Sequence, residues 1–304
     1  MSIVVQGVSK FYGEQKALDN ISFEVKTGEI VGFIGPNGAG KSTMMKIITG
    51  FIPASSGNVI VNGLAVDADN PEVKKQIGYL PENNPLYPEM YVREYLGFVA
   101  SIYKSSISGK KQIDNIIELT GLAPEQNKKI GSLSKGYRQR VGLAQALIHN
   151  PVVLILDEAT TGLDPNQIVE IRNLIKEAGK EKTVMLSTHI MQEVEAICNR
   201  VIIIDKGVIV ADEEKSRIYL TIKHSKQVIQ VEFDRDTTDS SLAEIEHVNS
   251  VKKIRDNIWL VEAEGTEDIR PLLFNFAVKN NLTVLSLNKQ ESNLEEVFRQ
   301  LTNG

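Results

Sequence analysis

Nine residues constrain this chain of 304 more than any others: Gly35-Pro36-Asn37-Gly38-Ala39-Gly40-Lys41-Ser42-Thr43. They fit the pattern G-x-x-x-x-G-K-[ST]. An apolar run, Ile30-Val31-Gly32-Phe33-Ile34, leads in, and a helix-like run, Met44-Met45-Lys46-Ile47-Ile48, leads out. In a strand–loop–helix setting the glycines let the backbone turn its N–H groups inward and approach a phosphate with no Cβ in the way. The helix N-terminus adds a partial positive charge behind them. Gly35, Asn37, Gly38, Ala39, Gly40 and Thr43 then belong to the phosphate cradle. Lys41 reaches the β- and γ-phosphates, and the Ser42 hydroxyl meets Mg²⁺. A mere glycine-rich turn with a solvated lysine leaves the flanking strand and helix unexplained.

The rest of the chain supplies an α/β framework. Short β-type runs occur at Ile3-Val4-Val5, Ile21–Val25, Val59–Val61 and Ile77–Leu80. From about residue 91 to 150 the apolar spacing becomes helical, with faces at Val92–Ala100, at Ile113, Ile116, Ile117 and Leu119, and at Val141–Leu147. Val152–Leu156 is near-continuously apolar, the mark of a strand buried on both faces. Val184–Ser187 and Val201–Asp205 read as its neighbours. Alternation with helices predicts a mainly parallel sheet. A charged and polar stretch around 212–226 marks a boundary. Beyond it the order strand, helix, strand, strand, helix, strand, with a final helix at 294–301, predicts a small α+β domain of ferredoxin-like type. Trp259 reads as a core anchor there.

The formal net charge of −5 argues against a nucleic-acid partner. Cys198 is the single cysteine, so no intramolecular disulfide can form, and it reads as a buried apolar residue of a reducing compartment. The N-terminus lacks the pattern of a signal peptide. No run of 18 apolar residues exists to span a bilayer, so membrane work would need another chain.

Two acids close the buried strand, Leu154-Ile155-Leu156-Asp157-Glu158. Downstream of a phosphate loop, Asp157 is placed to bind Mg²⁺ and Glu158 to orient and activate an attacking water. Leu133-Ser134-Lys135-Gly136-Tyr137-Arg138-Gln139-Arg140 then precedes a helix, and here the chain resembles the ATP-binding subunits of ABC transporters. That family's signature is L-S-G-G-Q; Lys135 and Tyr137 depart from it while Ser134 and Gly136 match. The resemblance implies that Ser134 and the Gly136 N–H bind the γ-phosphate held by a second copy, although Ser134 would serve equally as an ordinary helix cap. It also implies adenine stacking for Tyr12, otherwise a strand aromatic. Thr161-Gly162-Leu163-Asp164-Pro165 resembles the D-loop, though Asp164 also suits a helix cap. Ser187-Thr188-His189 resembles the switch histidine, which keeps Glu158 and the water aligned; a lone histidine at a strand end is more often structural.

The loop after Leu80-Pro81 usually carries Gln in this family and here carries Glu82. A carboxylate can ligate Mg²⁺ but cannot donate a hydrogen bond. Glu82 and the ending Leu294-Glu295-Glu296-Val297-Phe298 resemble bacterial export-type subunits, and overall likeness points to the gliding-motility-associated group. The resemblance covers about residues 2–220. It implies a P-loop NTPase of ABC type at 1–216 with an inserted helical subdomain at about 84–150; the polar stretch and the element order beyond it give a linker at 217–226 and an accessory domain at 227–304. It further implies ATP and Mg²⁺ as cofactors and a homodimer, or a pair with a second ATP-binding subunit, closing around two Mg-ATP. A separate integral membrane permease and a cytoplasmic position on the inner face of the cell membrane complete the expectation. The rival is a non-transport ABC ATPase that binds ribosomes or DNA. One phosphate loop, no sustained heptads and an acidic balance count against it. A small-molecule P-loop kinase has no use for Leu133–Arg140, Asp164 and His189 together.

Overall fold

A computed structural model describes the chain except residues 68–69, 104–108, 218–226, 266–267, 291–297, 299–301 and 303–304. The chain forms two compact units that part between Lys215 and Ser216. Apart from Arg217, the linker expected at 217–226 lies outside the described residues, as does the helix expected at 294–301 apart from Phe298.

Among the described residues the first unit holds two sheets. One is antiparallel, in the order β2 (Gln15–Val25), β1 (Ile3–Tyr12), β4 (Ser56–Val61), β5 (Leu64–Ala65). β1 and β2 run several residues beyond the apolar runs that predict them. Register shifts between Val5 and Phe11 break the alternation a period-2 reading depends on. The second sheet has six strands in the order β10 (Val208–Glu214), β9 (Arg200–Asp205), β3 (Ile30–Ile34), β8 (Thr183–Thr188), β7 (Val153–Asp157), β6 (Ile77–Leu80). All its pairings are parallel except β10 with β9. The acidic run Asp212–Glu214, which suggests a boundary in the sequence, is the end of β10. Asp212 is held there by a two-pronged ion pair with Arg200, both contacts at 2.6 Å.

Helix α1 (Lys41–Ile48) lies between the two sheets. Met44, Met45, Ile47 and Ile48 are all buried, because a helix covered on two sides must be apolar nearly all round. Phe33 of β3 and Phe23 of β2 meet in the same core, ring centroids 5.7 Å apart. Helix α2 (Pro71–Gln76) precedes β6. A helical block follows it: α3 (Val92–Tyr103), α4 (Gly109–Leu119) and α5 (Lys135–Leu147), within the span expected for it. α6 (Pro165–Gly179) and α7 (Met191–Ile197) complete the unit, and Cys198 is buried beside α7.

The second unit runs β11 (Gln227–Phe233), α8 (Asp239–Ala243), β12 (Val248–Arg255), β13 (Ile258–Ala263), α9 (Arg270–Lys279), β14 (Val284–Gln290). Its sheet order is β12-β13-β11-β14 with every neighbour antiparallel. Each strand–helix–strand crossover therefore skips over one strand, the ferredoxin-like topology. Alternate residues of β11, Gln227, Ile229, Val231 and Phe233, are buried, and Trp259 lies in the core with Leu273 and Ala277 of α9.

Candidate active site

Three parallel strands bring the site together. In register, Ile34 of β3 pairs with Thr188 of β8, and Asp157 of β7 pairs with Ser187. The phosphate loop, His189 and the two acids therefore leave the sheet at one edge, outside the carboxyl ends of the strands where α/β sheets bind ligands. They frame a cavity of about 550 Å³ lined by Tyr12, Gln15, Ala17, Asn37, Gly38, Gly40, Lys41, Ser42, Thr43, Glu82, Glu158, Thr161 and His189.

The loop geometry depends on glycine at two positions. Gly40 caps α1 at φ 112°, and a Cβ there would lie 2.7 Å from the Ala17 carbonyl oxygen and from Leu18 Cδ2. A Cβ on Gly35 would collide with the Ile204 carbonyl oxygen. Glycine at both positions lets the loop lie directly against the backbone of β2 and β9. Lys41 is buried and donates to the carbonyl oxygens of Gly35 (2.8 Å) and Pro36 (3.1 Å). Burial pulls its pKa down, against the raising pull of the Glu158, Asp157 and Glu82 carboxylates. Gly35 and Ala39 stand behind the cavity wall, Ala39 buried with its N–H donated to Pro36.

Asp157 is 1% exposed and lies one step behind the cavity. Its Oδ1 accepts from Ser42 Oγ at 3.1 Å and from Ser187 Oγ at 2.7 Å. Burial pushes its pKa up, while the two hydroxyls hold it down. Among the described residues no three His, Cys, Asp or Glu side chains are grouped to hold a metal by themselves. The donor set of Ser42 and Asp157, with Glu82 on the cavity wall, suits a hard cation that takes its remaining oxygens from phosphate.

Glu158 sits just past the strand at φ 54°, an uncommon backbone conformation for a residue other than glycine. Its N–H donates to the Ser187 carbonyl at 3.0 Å, which fixes the turn. His189 Nδ1 lies 3.0 Å from Oε1 and 2.9 Å from Oε2 of Glu158. An ionised carboxylate only accepts, so Nδ1 carries the proton of that bond. Thr188 braces the histidine's turn: its hydroxyl donates to the buried Glu193 at 2.7 Å and accepts from the Ile190 N–H at 3.0 Å.

The structure does not gather every residue the sequence singles out. Ser134 caps α5, accepting from the Tyr137 N–H at 3.3 Å, and Asp164 caps α6, accepting from the Gln167 N–H at 3.0 Å. Ser134 and Gly136 do not line the nucleotide cavity of their own chain. Gly136 packs on Gln167 of α6, where a Cβ would come within 2.5 Å. Tyr12 is on the cavity wall, 50% exposed, with the Lys10 ammonium 5.4 Å from its ring centre. Sequence reasoning passed over Gln15 on the same wall, the Ser187 hydroxyl at Asp157, and the Thr161 hydroxyl at Glu158.

A parallel sheet with a phosphate loop, a paired strand-end aspartate and glutamate, and a histidine on that glutamate defines a P-loop ATPase cassette. Residues 18–161 match the ABC transporter domain. The linearmycin resistance ATP-binding protein of Bacillus subtilis is 33% identical over 98% of this chain and 97% of its own length. The bacitracin transport ATP-binding protein of Bacillus licheniformis is 33% identical over 100% of this chain and 99% of its own. A dimeric post-hydrolysis ATP-binding cassette bound to ADP and phosphate superposes with a TM-score of 0.64. It is 29% identical, over 70% of this chain and 98% of that one. The chain belongs to the ABC transporter family, as an ATP-binding subunit with ATPase activity.

Proposed function

We propose that two copies of this chain close head to tail around two Mg-ATP and so drive a separate integral membrane permease, in the direction of export. The carrying observation is the incompleteness of the site in one chain. The cavity gathers the phosphate loop, Glu82, Glu158 and His189, while Ser134 and Gly136 lie off it. A second copy, facing the first, supplies the missing donors. ATP then bridges the copies, so binding favours closure and hydrolysis releases it.

Within each site Lys41 balances charge on the β- and γ-phosphates, and the loop N–H groups hold them in place. Glu158 orients the attacking water and takes its proton, while the His189 hydrogen bond holds the carboxylate in position. Tyr12 offers its exposed ring to adenine. Ser42, Asp157 and Glu82 would hold a Mg²⁺, which would supply neutralisation of the charge that develops on the leaving group.

The transport reading draws on the relatives named for antibiotic resistance and transport. It places the working chain on the cytoplasmic side of the membrane. Among the described residues no helix is long and apolar enough to cross a bilayer. A second cavity of about 560 Å³, lined by Phe51, Tyr79, Pro81, Glu82, Tyr103 and Gln145 among others, lies where the core meets the helical block. It shares Glu82 with the nucleotide cavity, so a permease segment held there would feel closure. The gliding-motility association rests on overall likeness of sequence alone. Affinity capture from gently solubilised native membranes tests the transport reading: a stoichiometric multi-span protein is expected, and recovery of ribosomal or other soluble partners only would overturn it.

A further inference from the structure

The carboxylate of Glu158 has a second holder besides His189. Thr161 Oγ1 donates to Glu158 Oε2 at 2.8 Å, a hydrogen bond to a charged acceptor and so one of the stronger kind. The two residues are also tied through the backbone, Thr161 N–H to the Glu158 carbonyl at 3.2 Å. Together the bonds close a tight turn on the glutamate. With the left-handed backbone of Glu158 and its N–H pinned to Ser187, they leave its carboxylate little freedom. Thr161 itself is exposed and lines the nucleotide cavity, so nothing in the core depends on it.

The next residue ties this turn to the signature helix. Gly162 has φ 73°, and a Cβ on it would run into the ammonium of Lys135. The Lys135 side chain therefore lies against the open face of Gly162, one residue from the hydroxyl that grips Glu158. Lys135 is the first residue of α5, next to its Ser134 cap. The loop of Gly-Leu-Asp between Thr161 and α6 is short, held by the Leu163 N–H on the Thr160 carbonyl at 3.2 Å and by Asp164 as the α6 cap. The lysine adds a further contact at Gly162.

We propose that Thr161 is a positioning residue for Glu158, and that Lys135 acts through it by seating the loop. The proposal rests on Glu158 being the group that handles the attacking water. A carboxylate held from two sides meets the water in one orientation, and loss of one holder spreads it over several. Misplacement of that kind lowers the turnover rate and leaves ATP binding alone.

ATP hydrolysis and fluorescent-nucleotide binding by the full chain test this with T161V, T161S, K135M and the T161V/K135M pair, alongside E158Q. T161V keeps the shape and removes the hydroxyl, and T161S keeps the hydroxyl. T161V is expected to lower kcat about 10-fold with KM and nucleotide affinity within twofold, and T161S to restore kcat to within twofold of the parent. K135M is expected to lower kcat in the same direction, and the pair to fall no further than T161V alone, because both act through one bond. Equal turnover in T161V and the parent overturns the role of Thr161. Equal loss in T161S and T161V overturns it too, and so does a loss confined to KM. Effects of T161V and K135M that multiply overturn the link to Lys135. If E158Q itself keeps full turnover, the underlying reading of Glu158 fails instead.

Discussion

Chemistry in this protein is set by a few side chains whose surroundings leave them little choice. Glu158 is fixed by its backbone, by His189 and by Thr161. If Glu158 is the base proposed above, E158Q keeps the shape and removes that base, so turnover is expected to fall at least about 100-fold while ATP binding persists, as read by nucleotide titration. G40A places a Cβ 2.7 Å from a carbonyl oxygen at a φ that disfavours any side chain. It is expected to cost about 1–3 kcal/mol and to weaken nucleotide binding, measured by thermal unfolding with and without ATP. A third residue makes a pH prediction away from the site. His149 stacks on Tyr103 with ring centroids 3.9 Å apart, and its Nε2 lies 3.1 Å from the Ile77 carbonyl oxygen. Burial pushes its pKa down to about 4. Above its ordinary value near 6.5 the ring is neutral folded or unfolded and the pH has no effect through it. Below that value the unfolded chain takes the proton first, so stability falls as pH drops from about 6.5 to about 4, by at most about 3 kcal/mol. H149F keeps an aromatic ring on Tyr103 and is expected to flatten that part of the melting profile.

Elements carry the side chains to one edge, and here the sequence is legible to different depths. The strand–loop–helix around Lys41 and the buried strand ending at Asp157 read directly, because continuous apolar runs and a motif of fixed spacing depend on neighbours in sequence. The ferredoxin-like unit reads from the order of its elements, since β11 alternates without a break. The Ser187 hydroxyl on Asp157 did not read, because it follows from the register of β8 against β7, a pairing of residues 30 apart. Thr161 was within reach as a hydroxyl three residues after the glutamate, but its bond exists only because Glu158 takes a left-handed turn. The full length of β1 was hidden by its register shifts. One prediction belongs to this scale. Phe51, 72% exposed, lines the cavity between the core and the helical block and is not on the nucleotide cavity. F51D is expected to reduce recovery of the membrane subunit in affinity capture several-fold, with nucleotide affinity within twofold. Unchanged recovery would place the docking surface elsewhere.

At the scale of the whole molecule the account depends on a second copy. Each chain holds one nucleotide cavity and, away from it, the helix-capping Ser134 with Gly136. In the proposed mechanism a second copy brings these parts together, with ATP as the cross-link and hydrolysis as the release. The second, ferredoxin-like unit has a compact core of its own, with Val231, Phe233, Trp259 and Leu273 in it. The most direct measurement is sedimentation of the E158Q protein with and without Mg-ATP. A monomer that becomes a dimer when ATP is added, with two nucleotides per dimer, is the predicted result. A protein that binds ATP stoichiometrically and stays monomeric at high concentration would contradict the account.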